Sequence, residues 1–98
     1  MKYPGVFENV ESAAALLGAL ASDSRIYVLR RLADGEVPAG VLAPELGISQ
    51  PALSQHLSRL RRLGLVRIRR EAQMVYYRCD TVVAKTMLAA LSALPQAE

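Results

Sequence analysis

The stretch Ile48–Tyr77, ISQPALSQHLSRLRRLGLVRIRREAQMVYY, changes its hydrophobic period partway along, and that change decides the fold. Up to Leu63 the apolar residues Leu53, Leu57, Leu60 and Leu63 recur every three or four positions, which places them on one face of an α-helix. Beyond Gly64 the period drops to two. Val66 and Ile68 alternate with Arg67 and Arg69, and after Arg70-Glu71-Ala72-Gln73 the residues Val75, Tyr77 and Cys79 alternate with Tyr76 and Arg78. Such alternation describes two strands of a hairpin with one packed face and one wet face. Ser49 is a helix N-cap residue, Pro51 is tolerated in a first turn whose N–H groups lack helical partners, and Gly64 supplies the stop.

Upstream, Ala39–Leu46 (AGVLAPEL) reads as a short helix with Leu42 and Leu46 on one face and Gly47 at its end. Pro44 within it lacks an N–H and crowds the preceding turn, which predicts a kink or a start delayed by one turn. The turn Gly47-Ile48-Ser49 joins this helix to Gln50–Leu63, making a helix-turn-helix over residues 39–63. A further helix begins at a Ser22 or Asp23 cap and carries the stripe Ile26, Leu29, Leu32 and Ala33 up to Gly35; Arg25, Arg30 and Arg31 fall off the stripe. The first helix, Glu8–Ala21, follows a loose Met1–Val6 and is apolar nearly all round, which predicts burial on most sides. Downstream, Asp80 is the expected cap of a last helix, Thr81–Leu94, with Val83, Met87, Leu91 and Leu94 on a face widened by Ala84 and Ala90. The expectation is a mainly α (α+β) winged helix-turn-helix in one domain spanning residues 1–98. It has five helices and a two-stranded β-hairpin wing at 66–79, in the order ααααββα.

The net charge of +3 is mild, but its distribution is not. No acidic residue lies between Glu45 and Glu71, whereas Arg59, Arg61, Arg62, Arg67, Arg69 and Arg70 fall there, half of the twelve basic residues of the chain. An enzyme surface or a protein-docking helix ordinarily intersperses carboxylates among its arginines. A surface that neutralises phosphates does not. With the leucines turned inward, the helix 50–63 presents Gln50, Pro51, Ser54, Gln55 and Ser58. Of these, Gln50, Pro51, Ser54 and Gln55 suit base edges in a major groove: Gln pairs with adenine, Ser donates or accepts, and Pro offers an apolar contact to a thymine methyl. Ser49, His56, Ser58, Arg59 and Arg62, with Arg67, Arg69, Arg70 and Gln73 of the wing, suit the sugar-phosphate backbone.

At 98 residues the chain buries a modest fraction of its surface alone, and its Ala, Leu and Val excess points to a second subunit. The lone Cys79 excludes an intrachain disulfide framework; strand parity makes it a small buried hydrophobe, with a redox-responsive thiol as the alternative. His56, the single histidine, cannot make a metal site alone. No spacing of nucleophile, base and acid and no glycine-rich phosphate loop supports catalysis. No cofactor is implied. The start MKYPGVFENV lacks the features of a secretory leader, and no apolar run reaches the roughly 20 residues of a membrane span. The reading is a cytoplasmic protein with no membrane partner.

The run ISQPALSQHLSRLRRLGLVRIRREAQMVYYRCD, preceded by LASDSRIYVLRRLADGEV, resembles the helix-turn-helix, wing and second helix of ArsR/SmtB-type bacterial repressors over about Leu16–Leu94. Within that family it is most similar to nodulation-repressor-like members. The resemblance implies transcriptional repression by a homodimer, paired through segments 8–21 and 81–94, at an inverted repeat in double-stranded DNA. The family's metal box, a Cys-x-Cys on the helix matching Ala39–Leu46, is absent. So is its Asp-x-His pattern at the last helix, where Asp80 is followed by Thr81 and Val82. Two-thiol sensors of the family carry a partner cysteine on the second helix, and Ser24–Ala33 has none. The rival class is a winged-helix module that docks a protein, with DNA incidental.

Overall fold

The computed structural model describes residues 10–95. The order is α1 (Val10–Leu20), α2 (Asp23–Ala33), β1 (Val37–Pro38), α3 (Ala39–Leu46), α4 (Gln50–Arg62), β2 (Arg67–Glu71), β3 (Met74–Arg78) and α5 (Val82–Ser92). Glu8 and Asn9 of the expected first helix lie outside the described residues.

Local chemistry sets the boundaries of α4. The Ser49 side chain accepts a hydrogen bond from the Ala52 N–H at 3.2 Å, satisfying one of the unpaired donors of the first turn, and Pro51 occupies that turn. At the other end Gly64 takes a left-handed φ of 74°, so that Leu65 N–H reaches Leu60 O and Gly64 N–H reaches Arg61 O, both at 3.0 Å. α3 ends on the same device: Gly47 has φ 68°, and Ile48 N–H donates to Ala43 O at 3.1 Å. Each helix of the helix-turn-helix thus ends on a glycine, at a position where the backbone needs a conformation other residues resist. α3 starts at Ala39 despite Pro44, so the expected delay of one turn does not occur.

Leu53, Leu57 and Leu60 of α4 are buried against Val28, Leu29 and Leu32 of α2, Leu42 and Ala43 of α3, Leu65 and Val66 ahead of the wing, and Ala84 and Leu88 of α5. Each buried leucine contributes about 1.5–3 kcal/mol relative to exposure, so this cluster holds α4 in place. On α2, Val28 takes the core position that the sequence stripe assigned to Ala33, which is exposed; Ile26 is half-buried.

The strand count and the cap of α5 also differ from expectation. The sheet has three strands, ordered β1-β3-β2, because Val37 and Pro38 pair antiparallel with Tyr77 and Tyr76. A two-residue strand is too short to show periodicity, so only the fold reveals it. Asp80 is not the cap of α5. Thr81 has the extended backbone of a cap and its hydroxyl accepts from Ala84 N–H at 3.3 Å, while Asp80, one residue earlier, pairs with Arg67 and Arg78.

Apolar side chains of α1 and α5 remain in solvent. Leu17 is 57 % exposed, Val82 79 %, Val83 49 % and Leu94, just past α5, 64 %. The nearly all-round apolar α1 predicted burial on most sides, yet within one chain only Ala19 and Leu20 are buried.

Candidate nucleic-acid interface

The core fixes which face of α4 is offered outward. With Leu53, Leu57 and Leu60 inside, Gln50, Pro51, Ser54, Gln55, Ser58, Arg59, Arg61 and Arg62 are all exposed. The expected base-reading residues Gln50, Pro51, Ser54 and Gln55 therefore share one uncharged surface at the front of the helix, and Ser58, Arg59 and Arg62 continue it toward the C-terminus. Among the described residues Arg59, Arg61, Arg62 and Arg70 make no ion pair. Ser49 is exposed; its oxygen accepts the cap bond and its hydroxyl hydrogen stays free to donate. His56 is half-buried on the flank of α4, where its Nδ1 accepts from Arg25 Nε at 3.1 Å.

Two open clefts flank the C-terminal half of α4. One, of about 510 Å3, is lined by Arg25, Ser54, Gln55, Ser58, Arg59 and Arg62. The other, of about 550 Å3, lies toward the sheet, where Arg61, Arg62, Arg67 and Arg78 line it together with Ser58, Val66 and Ile68. Arg62 and Ser58 belong to both, so the helix forms a ridge between two basic troughs. Among the described residues no carboxylate lines either. Asp80 stands at the edge of the second, 3.7 Å from Arg67 Nε and 3.4 Å from Arg78 Nε.

The wing departs from the sequence reading. Arg69 was expected among the phosphate contacts, yet its guanidinium is already occupied. Nε and Nη2 grip the Glu36 carboxylate at 2.9 Å each, Nη1 reaches Glu71 Oε2 at 2.9 Å, and the group lies over the ring of its cross-strand partner Tyr76, 4.4 Å from the centroid. The Arg69 hydrogen bond holds the Glu36 carboxyl below its usual range, and the two carboxylates raise the Arg69 guanidinium in turn. Glu36 immediately precedes β1, so this contact spans the sheet from β2 past β3 and fastens the wing to the body. Arg70 and Gln73 near the tip are exposed, as is Met74, which the sequence reading passed over. Ala72 turns the hairpin at φ 53°, a strained position for a residue with a Cβ.

Cys79 is 3 % exposed. Burial, followed by the neighbouring Asp80 charge, pushes its thiol pKa up, which lowers the thiolate fraction that oxidation requires. The environment is that of a packing residue. Among the described residues no cluster of three or more His, Cys, Asp or Glu is placed to hold a metal, and no helix is long and apolar enough to cross a membrane.

A capped helix projecting from a helix-turn-helix, followed by a sheet whose hairpin extends beside it, defines the winged helix-turn-helix class. Residues 22–67 match the family described as "Bacterial regulatory protein, arsR family". The chain is 44 % identical over 89 residues to the nodulation protein NolR of Rhizobium meliloti, covering 91 % of this chain and 73 % of that protein. It is also 44 % identical over 87 residues to the transcriptional activator HlyU of Vibrio cholerae, covering 89 % and 81 %. Among solved structures, NolR from Sinorhizobium fredii superposes with a TM-score of 0.82 at 40 % identity, covering 92 % of this chain and 94 % of that one. A homodimeric winged helix-turn-helix DNA-binding domain from Mycobacterium bovis superposes at 0.77 with 28 % identity, covering 92 % and 87 %. The chain belongs to the ArsR family of bacterial transcription regulators.

Proposed function

We propose that this chain is a homodimeric, sequence-specific repressor that occupies an inverted repeat in double-stranded DNA and so blocks a promoter. The observation that carries the reading is the outward face of α4, where uncharged Gln50, Pro51, Ser54 and Gln55 stand at the front of a helix that continues into Arg59, Arg61 and Arg62, none of which has a carboxylate partner among the described residues. Gln50, Ser54 and Gln55 read base edges, Pro51 meets thymine methyl groups, and Arg59, Arg62, Arg67 and Arg70 hold phosphates.

Dimerisation is supported by the exposed Leu17, Val82 and Val83 on the two terminal helices and Leu94 just past the second, apolar side chains that a second copy would cover. Two α4 helices related by a dyad would enter successive major grooves about 34–36 Å apart, which is why the operator is an inverted repeat.

Fluorescence-anisotropy titration against the upstream region of its own gene, paired with a scrambled duplex at physiological salt, tests the reading. Tighter binding to the upstream duplex, with a dimer by sedimentation, supports it. Equal affinity for both duplexes sinks it, and a heteromer without salt-dependent DNA retention favours the protein-docking rival. A promoter-reporter assay fixes the sign of regulation, repression lowering the signal.

A further inference from the structure

The cleft on the α2 side of α4 contains one residue that the sequence reading left out. Ser54, Gln55, Ser58, Arg59 and Arg62 all belong to α4; Arg25 comes from α2. Arg25 is half-buried and held at two points. Its Nη1 donates to Ala19 O at the end of α1, at 3.2 Å, and its Nε donates to His56 Nδ1 at 3.1 Å. These bonds orient a guanidinium that carries five donors, and leave the remainder uncommitted. A bond into Nδ1 also requires that nitrogen to be unprotonated, so neutral His56 carries its proton on Nε2 and is a donor there.

We propose that this cleft seats a backbone phosphate of the DNA strand bordering the major groove, with Arg25 as a phosphate ligand and His56 held in its donor tautomer by Arg25. The inference rests on the DNA-binding reading above. Three guanidinium groups and the Ser58 hydroxyl converge on a space that no carboxylate lines among the described residues, the donor-rich environment a phosphate oxygen requires. The occupant is a strand phosphate rather than a free anion because Ser54 and Gln55, on the base-reading face, line the same cleft. A phosphate seated there lies beside the bases the helix reads. Fixing Arg25 before DNA arrives removes part of the ordering cost of the contact. Because Arg25 also bonds the end of α1, the seat connects an expected dimer helix directly to the recognition helix.

The test measures affinity against salt for the wild type, Arg25→Gln and Arg25→Lys on the operator and a scrambled duplex, with thermal midpoints and 15N spectra of the His56 imidazole recorded in parallel. Arg25→Gln is expected to weaken binding to both duplexes alike and to reduce the slope of log K against log salt by about 0.9, the contribution of one phosphate contact. Arg25→Lys should retain the slope while losing part of the affinity. The wild-type spectrum should show the Nε2-protonated tautomer, with mixed tautomers in Arg25→Gln. A folded Arg25→Gln with an unchanged slope overturns this inference alone. A wild type that retains no DNA overturns the DNA-binding reading as well. Saturable binding of inorganic phosphate at constant ionic strength, with the DNA slope still unchanged in Arg25→Gln, makes the cleft a free-anion site and overturns the inference too.

Discussion

The arginines of α4 and the arginine in the middle of β2 come from one short acid-free run of sequence, yet the fold gives them opposite situations. Arg59, Arg61 and Arg62 line the clefts beside the recognition helix without a carboxylate partner among the described residues. Arg69 is enclosed by Glu36, Glu71 and the Tyr76 ring. Glu36 lies 33 residues upstream and reaches Arg69 only because β1 pairs with β3 and β3 with β2. Charge counted along a sequence is therefore not charge available at a surface. The helix supplies free cations, and the middle of β2 spends one on attaching the wing.

The largest test of this division is Gln55→Ala. If the uncharged front of α4 carries sequence reading, discrimination between operator and scrambled duplex falls by about 1–3 kcal/mol while the salt slope stays the same. An unchanged ratio would mean that specificity lies elsewhere.

Arg69→Gln should be the converse. It is expected to lower the thermal midpoint modestly, since the pair is partly exposed, and to leave the salt slope as in the wild type. A slope reduced by about 0.9 would return Arg69 to the phosphate contacts and break the comparison.

Acid should loosen the same fastening. The folded Glu36 carboxyl titrates below its unfolded value, so its contribution is fully present above the unfolded value and is lost as pH falls through the folded one. Protection factors of the β2 amides, that is exchange rates corrected for their intrinsic pH dependence, should fall on acidification below the usual carboxylate range, and Glu36→Gln should abolish that pH dependence. The smallest effect is at the tip. Ala72→Asn, better suited to a positive φ, should stabilise the chain by up to about 1 kcal/mol in thermal unfolding without altering the affinity for DNA.

Much of this architecture is legible in the residues because it is local. The Leu53, Leu57 and Leu60 stripe, the Ser49 cap and the stops at Gly47 and Gly64 are set by interactions a few residues long, and the structure has them where the pattern places them. The hairpin forms too, but β2 runs on through Arg70 and Glu71, expected in the connection, so Ala72-Gln73 alone make the turn, and β3 is half-buried from Val75 to Arg78 instead of alternating. The adjacent Asp80 and Thr81 mark the limit: both are good cap residues, and the choice fell to Thr81 because the arginines at the base of the wing engage Asp80. Similarly, Val83, Met87 and Leu91 form a helical stripe, but Ala84 and Leu88 face the core, leaving Val83 largely outside.

The helix-turn-helix, the hairpin after it and the residues on the outward face of α4 follow from the order of the amino acids, because helical and strand periodicity decide which side chains can be buried together. The entry of β1 into the sheet, the fastening of the wing by Arg69 and the place of Arg25 beside His56 at the recognition helix arise only in the folded chain. Each of these joins groups far apart in the chain, and the energy that pairs them exists only after the core has brought their elements together.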